Sequence, residues 1–202
     1  MTKELKELLP EVVIASSNNG KINEFKVLLE DLPCSIVAQP KALDVEETGS
    51  TFIENARIKA LAAAKLTGQF ALADDSGLCV EALQGAPGVH SARYAISDKA
   101  RITRLLDEMS DCTNRSAIFV ACLCFASPQH GVLLEVYGKC KGVITYSPRG
   151  INGFGYDPVF ELPEISKTFA EMTKSQKQKI GHRGKAFSLI KPTLEELLYS
   201  FG

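Results

Sequence analysis

The sequence predicts an α/β protein, a mixed β-sheet flanked by helices and arranged as two lobes about a cleft lined by strand ends. Three observations predict it. Short apolar runs alternate with stretches of helical periodicity; two long strand-like segments, 117–126 and 132–144, flank the turn SPQHG; and no repeat, low-complexity tract or linker interrupts the 202 residues. The span 1–202 is expected to form a single domain, long enough to bury its own core.

The elements follow in order. Val12-Val13-Ile14-Ala15 reads as a short buried strand; SSNNGK follows, then Ile22, Phe25, Leu28, Leu29 and Leu32 at helical spacing. After a Pro-containing connection, Thr51 and Glu54 make a capping-box pattern that opens a helix through IENARIKALAAAKL, which Gly68 closes. The strand FALA runs into Asp74-Asp75, GLCVEAL reads as another strand, and QGAPG as a tight turn. A helix from about Asp98 places Ile102, Leu105, Leu106 and Met109 on one face. AIFVACLCFA and VLLEVYGKCKGVI read as antiparallel strands, followed by the Gly-rich turn RGINGFGYDP, a short strand VF, and helices across residues 167–187.

Composition excludes several classes. A net charge of −1 with 45% hydrophobic and 23% charged residues argues against wholesale binding of nucleic acid or a membrane surface. The longest apolar run, Ala117 to Ala126, is about half of what a bilayer span needs. The N-terminal MTKELKELLP has no apolar h-region. Six scattered cysteines without a CxxC read as buried thiols in a reducing compartment, so a cytoplasmic location is expected.

Four segments carry candidate chemistry. In SSNNGK, exposed backbone N–H groups at a helix start favour an anion and Lys21 adds a full charge, although an ordinary N-cap looks similar. In ADDSG, a strand ending in Asp74-Asp75 turns one carboxylate to each face, so that one is structural and the other is a natural oxygen ligand for magnesium; Glu46-Glu47 upstream are further candidates. A capped turn is the alternative. In GFGYDP, Gly153 and Gly155 allow close backbone approach, and Phe154 or Tyr156 can stack on a planar base. Lys174, Lys177, Lys179, His182, Arg183 and Lys185 concentrate cations, either as a solvated face or as donors to a base carbonyl. Together the four suit a nucleoside triphosphate with magnesium.

The segments SSNNGKINEF, EETGSTFIENARIKA, ADDSGLCVEALQGAPGVHSARY, GFGYDPVF and HRGKA, in this order, resemble the Ham1 family of inosine/xanthosine triphosphatases, from about Val12 to the C-terminal helix. The resemblance implies an elongated α/β fold with a central cleft, a homodimer, and magnesium-dependent hydrolysis of ITP, dITP and XTP to monophosphate and pyrophosphate. By position it implies that Ser16, Ser17, Asn18, Asn19, Gly20 and Lys21 bind the triphosphate. Asp75 would be the proton acceptor and a magnesium ligand, with Glu46 the other ligand and Glu47 its alternative. Ser76 would contact substrate; Phe154, Gly155, Tyr156 and Asp157 would form the base and sugar pocket; Lys177 would meet substrate; His182 and Arg183 would read the purine. Lys59 is a further phosphate candidate. Two positions depart from the family pattern: Ser17 stands for a common glycine, and Gly181 for a common serine. A nucleotide sensor without turnover, and a pyrophosphatase of modified pyrimidine nucleotides, are the competing readings.

Overall fold

The computed structural model of the protein describes residues 9–201; the N-terminal stretch read above for a secretory signal lies, up to residue 8, outside the described residues. The strands are β1 (Glu11–Ala15), β2 (Ser35–Ala38), β3 (Phe70–Val80), β4 (Ser116–Ser127), β5 (Gly131–Ile144), β6 (Phe160–Leu162) and β7 (Lys167–Thr168). The helices are α1 (Asn19–Leu28), α2 (Phe52–Thr67), α3 (Asp98–Glu108), α4 (Lys174–Ile180) and α5 (His182–Phe201). The strands form one seven-stranded sheet in the order β2-β1-β3-β4-β5-β6-β7. It is mixed: β1 pairs in parallel with β2 and β3, whereas β6 is antiparallel to both β5 and β7.

The described residues divide into two compact units, one from 9–75, 122–137 and 186–201, the other from 76–121 and 138–185. In the first, Val12 to Ala15 are fully buried, as expected of a parallel strand with neighbours on both sides. Helix α2 packs on β1. Its buried stripe is Ala56, Ala60, Ala63 and Ala64, small side chains that permit close approach of helix and sheet. The capping box of Thr51 and Glu54 is formed, and Gly68 ends the helix at φ +69°, a conformation that favours glycine.

The second unit has its own core, in which Ile102 and Leu105 of α3 and Met109 just beyond it cluster with Phe119, Phe160 and Phe169. Ser97 caps α3 by accepting from Ala100 N–H.

The fold differs from the sequence reading in five places. FALA and GLCV are one continuous strand, β3, so Asp74 and Asp75 lie mid-strand rather than at a strand end. Asp, Ser and Gly favour turns, yet β3 runs on through them with β4 as its neighbour in the sheet, while β1 pairs with β3 only from Phe70 to Ala73. Residues 81–83 form a 3-10 turn rather than continuing a strand. The four-residue β2 was not anticipated, and α1 ends at Leu28, leaving Leu32 buried in the turn beyond. Residues 167–171 form β7 and a 3-10 turn, so helix begins only at Lys174.

All six cysteines are free thiols, with Cys122, Cys124 and Cys140 buried. No helix among the described residues is long and apolar enough to cross a membrane.

Candidate active site

The first unit assembles charge around β3. Because successive strand side chains point to opposite faces, Asp74 and Asp75 diverge, and each has its own lysine. Lys21 Nζ lies 2.7 Å from Asp74 Oδ2, and Lys59 Nζ lies 2.9 Å from Asp75 Oδ1. Lys59 also donates to the Asp74 carbonyl at 2.9 Å and to Glu47 Oε1 at 2.7 Å. The ammonium therefore joins two carboxylates that would otherwise repel.

Burial pushes the Asp75 carboxyl above its ordinary range, against the pull of Lys59 and Lys21. Burial works to lower the Lys59 ammonium, yet Asp75 and Glu47 overcome it and hold Lys59 above its usual value. A carboxylate of raised basicity, 6% exposed, is equipped to take a proton.

The loop before α1 has the features of an anion site. Asn18 caps α1 by accepting from Lys21 N–H, and Ser16 Oγ accepts from Asn18 N–H. Ser17, Asn18 and Asn19 are exposed, leaving helix-start N–H groups near the surface. Ser17 does not have a positive φ, so the glycine usual at this position supplies no conformation that serine cannot adopt.

The fit to magnesium rests on Asp75. Its Oδ2 is buried and has no hydrogen-bond partner among the described residues, as a ligand oxygen would. Carboxylate oxygens are the hard donors this ion takes, and it commonly uses only one or two of them together with substrate phosphates. That matches the absence, among the described residues, of a preformed cage of three acidic, His or Cys side chains. Between the two glutamates, Glu47 is the one brought to the Lys59–Asp75 cluster, while Glu46 is exposed on the same loop.

The second unit gathers the remaining candidates. Asp157 is 2% exposed, and its Oδ2 accepts from Phe154 N–H at 2.9 Å and from Lys177 Nζ at 2.6 Å. Gly155 N–H donates to Asp98 Oδ2 at 2.7 Å, so two successive amides of the GFGYDP turn are held by carboxylates. Gly153 sits at φ +78°, and a Cβ there would overlap the Asp157 carboxylate. The Lys177 ammonium stands 4.7 Å from the Phe154 ring centroid, a cation–π contact that braces the ring.

Tyr156 is not available for stacking. It is 4% exposed, and its hydroxyl donates to the Ser91 carbonyl at 3.0 Å. Of the two aromatic candidates, only Phe154 is partly exposed.

The six-cation cluster splits by burial. Lys174, Lys179 and Lys185 are exposed, whereas Lys177, His182 and Arg183 are buried. Arg183 donates to Ser76 Oγ at 2.9 Å. The His182 ring stacks on Phe119 at 4.6 Å and 10° and lies 6.2 Å from Phe169, so its plane is set by aromatic neighbours. Gly184 lets α5 start beside α4, since a Cβ there would overlap the Gln178 carbonyl. At Gly181 a Cβ would stand 2.5 Å from the Lys177 carbonyl, which favours glycine over the family's usual serine in this backbone.

Each unit thus joins its own set: Lys21, Glu47, Lys59, Asp74 and Asp75 in the first, Ser76, Phe154, Asp157, Lys177, His182 and Arg183 in the second. Sequence reasoning did not single out Asn55, Asp98 or Phe119. Only Asn55 had a signal, four residues before Lys59 and therefore on the same face of α2.

The model of the Ham1 family matches residues 12–193. The chain is 62% identical over 188 residues, 93% of each chain, to a protein of Prochlorococcus marinus (strain MIT 9313) named dITP/XTP pyrophosphatase. It is similar to the solved Ham1 protein of Staphylococcus aureus, with a TM-score of 0.82 and 44% identity over 93% of this chain and 99% of that one. A HAM1 protein from Coxiella burnetii gives a TM-score of 0.85 and 43% identity, covering 93% of this chain and 100% of that one. With nearly its whole length matched by the family model and by relatives of such identity, the chain belongs to the Ham1 family.

Proposed function

We propose that the protein, acting as one functional domain, hydrolyses non-standard purine nucleoside triphosphates, ITP, dITP and XTP, to the monophosphate and pyrophosphate. The observation that carries this reading is the Asp75 carboxylate, buried and raised in basicity, with Oδ1 on Lys59 and Oδ2 without a partner among the described residues. The name dITP/XTP pyrophosphatase, borne by relatives at 62% and 51% identity, supports the substrate class.

The Asp75 carboxylate takes a proton from a water, whose oxygen attacks the α-phosphorus as the bond to the bridging β-phosphate oxygen breaks; that oxygen carries the electron pair away in pyrophosphate. Lys59 holds Asp75 in place and offsets the charge of Glu47 beside it. Lys21 and the N–H groups at the start of α1 receive the triphosphate. Magnesium bound by Asp75 with Glu46, or with its neighbour Glu47, would neutralise phosphate charge. Phe154 stacks on the base, with Gly155, Asp157 and Lys177 shaping its turn. His182 and Arg183 address the 6-oxo group, and Ser76, held by Arg183, meets the substrate. Adenine carries an amino group at that position, so its nucleotides leave donors facing a donor, at about 1–3 kcal/mol for each unsatisfied group.

In this reading the protein removes such nucleotides from the pool before they enter DNA or RNA, acts in the cytoplasm as a homodimer, and binds neither nucleic acid nor membrane. A pyrophosphate-release panel over ITP, dITP, XTP, GTP, ATP and dTTP with magnesium tests it. Turnover of ITP, dITP and XTP well above that of GTP, ATP and dTTP supports the reading; binding without turnover marks a sensor, and preference for dTTP removes the purine assignment.

A further inference from the structure

Asn55 is fully buried on the face of α2 that carries Lys59 one turn later, and none of the roles above uses it. Its Oδ1 accepts from Gly49 N–H at 2.8 Å, while its Nδ2 is buried with no partner among the described residues. A buried amide left half-satisfied carries a desolvation cost that an apolar side chain would avoid. Gly49 is packed against it: a Cβ there would stand 2.6 Å from Glu54 Cβ and 2.7 Å from Asn55 Oδ1.

The neighbouring contacts tie the same loop to the same helix. Glu54 Oε2 accepts from Ser50 N–H, Ser50 Oγ and Thr51 N–H, and Lys59 takes the Glu47 carboxylate. From Glu47 to Thr51 the loop is therefore fastened to the first two turns of α2, and among the described residues Asn55 is the fully buried side chain in that fastening.

We propose that Asn55 is a positioning residue for divalent-cation binding: by clasping Gly49 it fixes the loop that carries Glu46 and Glu47, keeping their carboxylates in register with Lys59 and Asp75. An amide suits the task because it holds a backbone N–H without adding a third negative charge beside Glu47 and Asp75. The inference rests on the reading of this loop as part of a magnesium site.

Asn55→Ala removes the clasp, and Gly49→Ala displaces the loop while leaving Asn55 intact. Each raises the magnesium concentration for half-maximal ITP hydrolysis, and the dissociation constant of Mn2+ measured by electron paramagnetic resonance without substrate, by about 10-fold, with kcat at saturating magnesium changed less than about 3-fold. The double variant is no worse than either single one, because both break the same fastening. In the wild-type protein, hydrogen exchange finds the Gly49 amide protected, a result that stands even if a variant fails to fold. Unchanged Mn2+ and magnesium constants in folded variants, or a Gly49 amide exchanging at the unprotected rate, overturn the proposal. A wild-type enzyme active without any divalent cation instead overturns the reading beneath it.

Discussion

Lys59 Nζ lies 2.9 Å from Asp75 Oδ1, and the same ammonium reaches Glu47. Asp74, one residue earlier, is served by Lys21 instead. The adjacent aspartates are thus in contact with different lysines. Asp75→Asn removes the proton acceptor and lowers kcat for ITP by about 10²- to 10⁴-fold with little change in thermal stability. Asp74→Asn weakens the pairing of a mostly buried lysine and lowers the melting temperature, with the smaller loss of kcat. Steady-state kinetics and thermal denaturation of both variants check this, and a reversed order would exchange the two roles.

The ring stack beneath His182 sets a second expectation. If His182 reads the purine, loosening Phe119 degrades discrimination without touching the proton acceptor. Phe119→Leu raises KM for ITP by about 2- to 10-fold, the range an aromatic pair is worth, leaves kcat nearly unchanged, and narrows the preference for ITP over ATP. Phe119→Tyr keeps the stack and retains the wild-type ratio. His182→Ala run beside them shows whether the imidazole contributes to discrimination at all.

Glu54 gives a pH dependence. The Ser50 hydroxyl, followed by the Ser50 and Thr51 amides, holds its carboxyl below the ordinary glutamate range. A carboxylate whose pKa falls on folding stabilises the fold above its unfolded pKa, and that contribution is lost as the pH drops through the folded value. The gap in melting temperature between wild type and Glu54→Gln is therefore full at pH 7 and closes as the pH is taken below about 4.

Gly184 tests the packing of α4 against α5. A methyl group there meets the Gln178 carbonyl, which backbone must move to avoid. Gly184→Ala destabilises by about 1–3 kcal/mol, or roughly 2–12 °C in a chain of this size, despite alanine's better helix propensity. Calorimetry gives the answer directly.

How much of this was legible in the sequence differs from residue to residue. The capping box at Thr51 and Glu54, the Gly68 stop and the apolar face of α3 are local signals, and each stands where the spacing put it. The continuity of β3 was hidden because Asp-Asp-Ser-Gly has the local chemistry of a turn, and only neighbouring strands decide otherwise. Among site residues, the Asp75–Lys59 contact joins positions 16 residues apart, a separation that carries no pattern. Glu46 and Glu47 are indistinguishable by type; side-chain direction on an irregular loop brings Glu47 to Lys59. Tyr156 was read as a possible stacking ring because an aromatic beside glycines looks exposed, whereas its hydroxyl has a buried acceptor in Ser91.

That buried phenol has a practical use. The chain contains five tyrosines and no tryptophan, so its near-ultraviolet absorption and emission belong chiefly to tyrosine. Tyr156 closes the turn that begins with Phe154, and Tyr94 packs in the same core as Tyr156. Two of the five tyrosines therefore report optically from the core beneath that turn, without a label and unobscured by indole emission, and the other three, Tyr137, Tyr146 and Tyr199, are exposed.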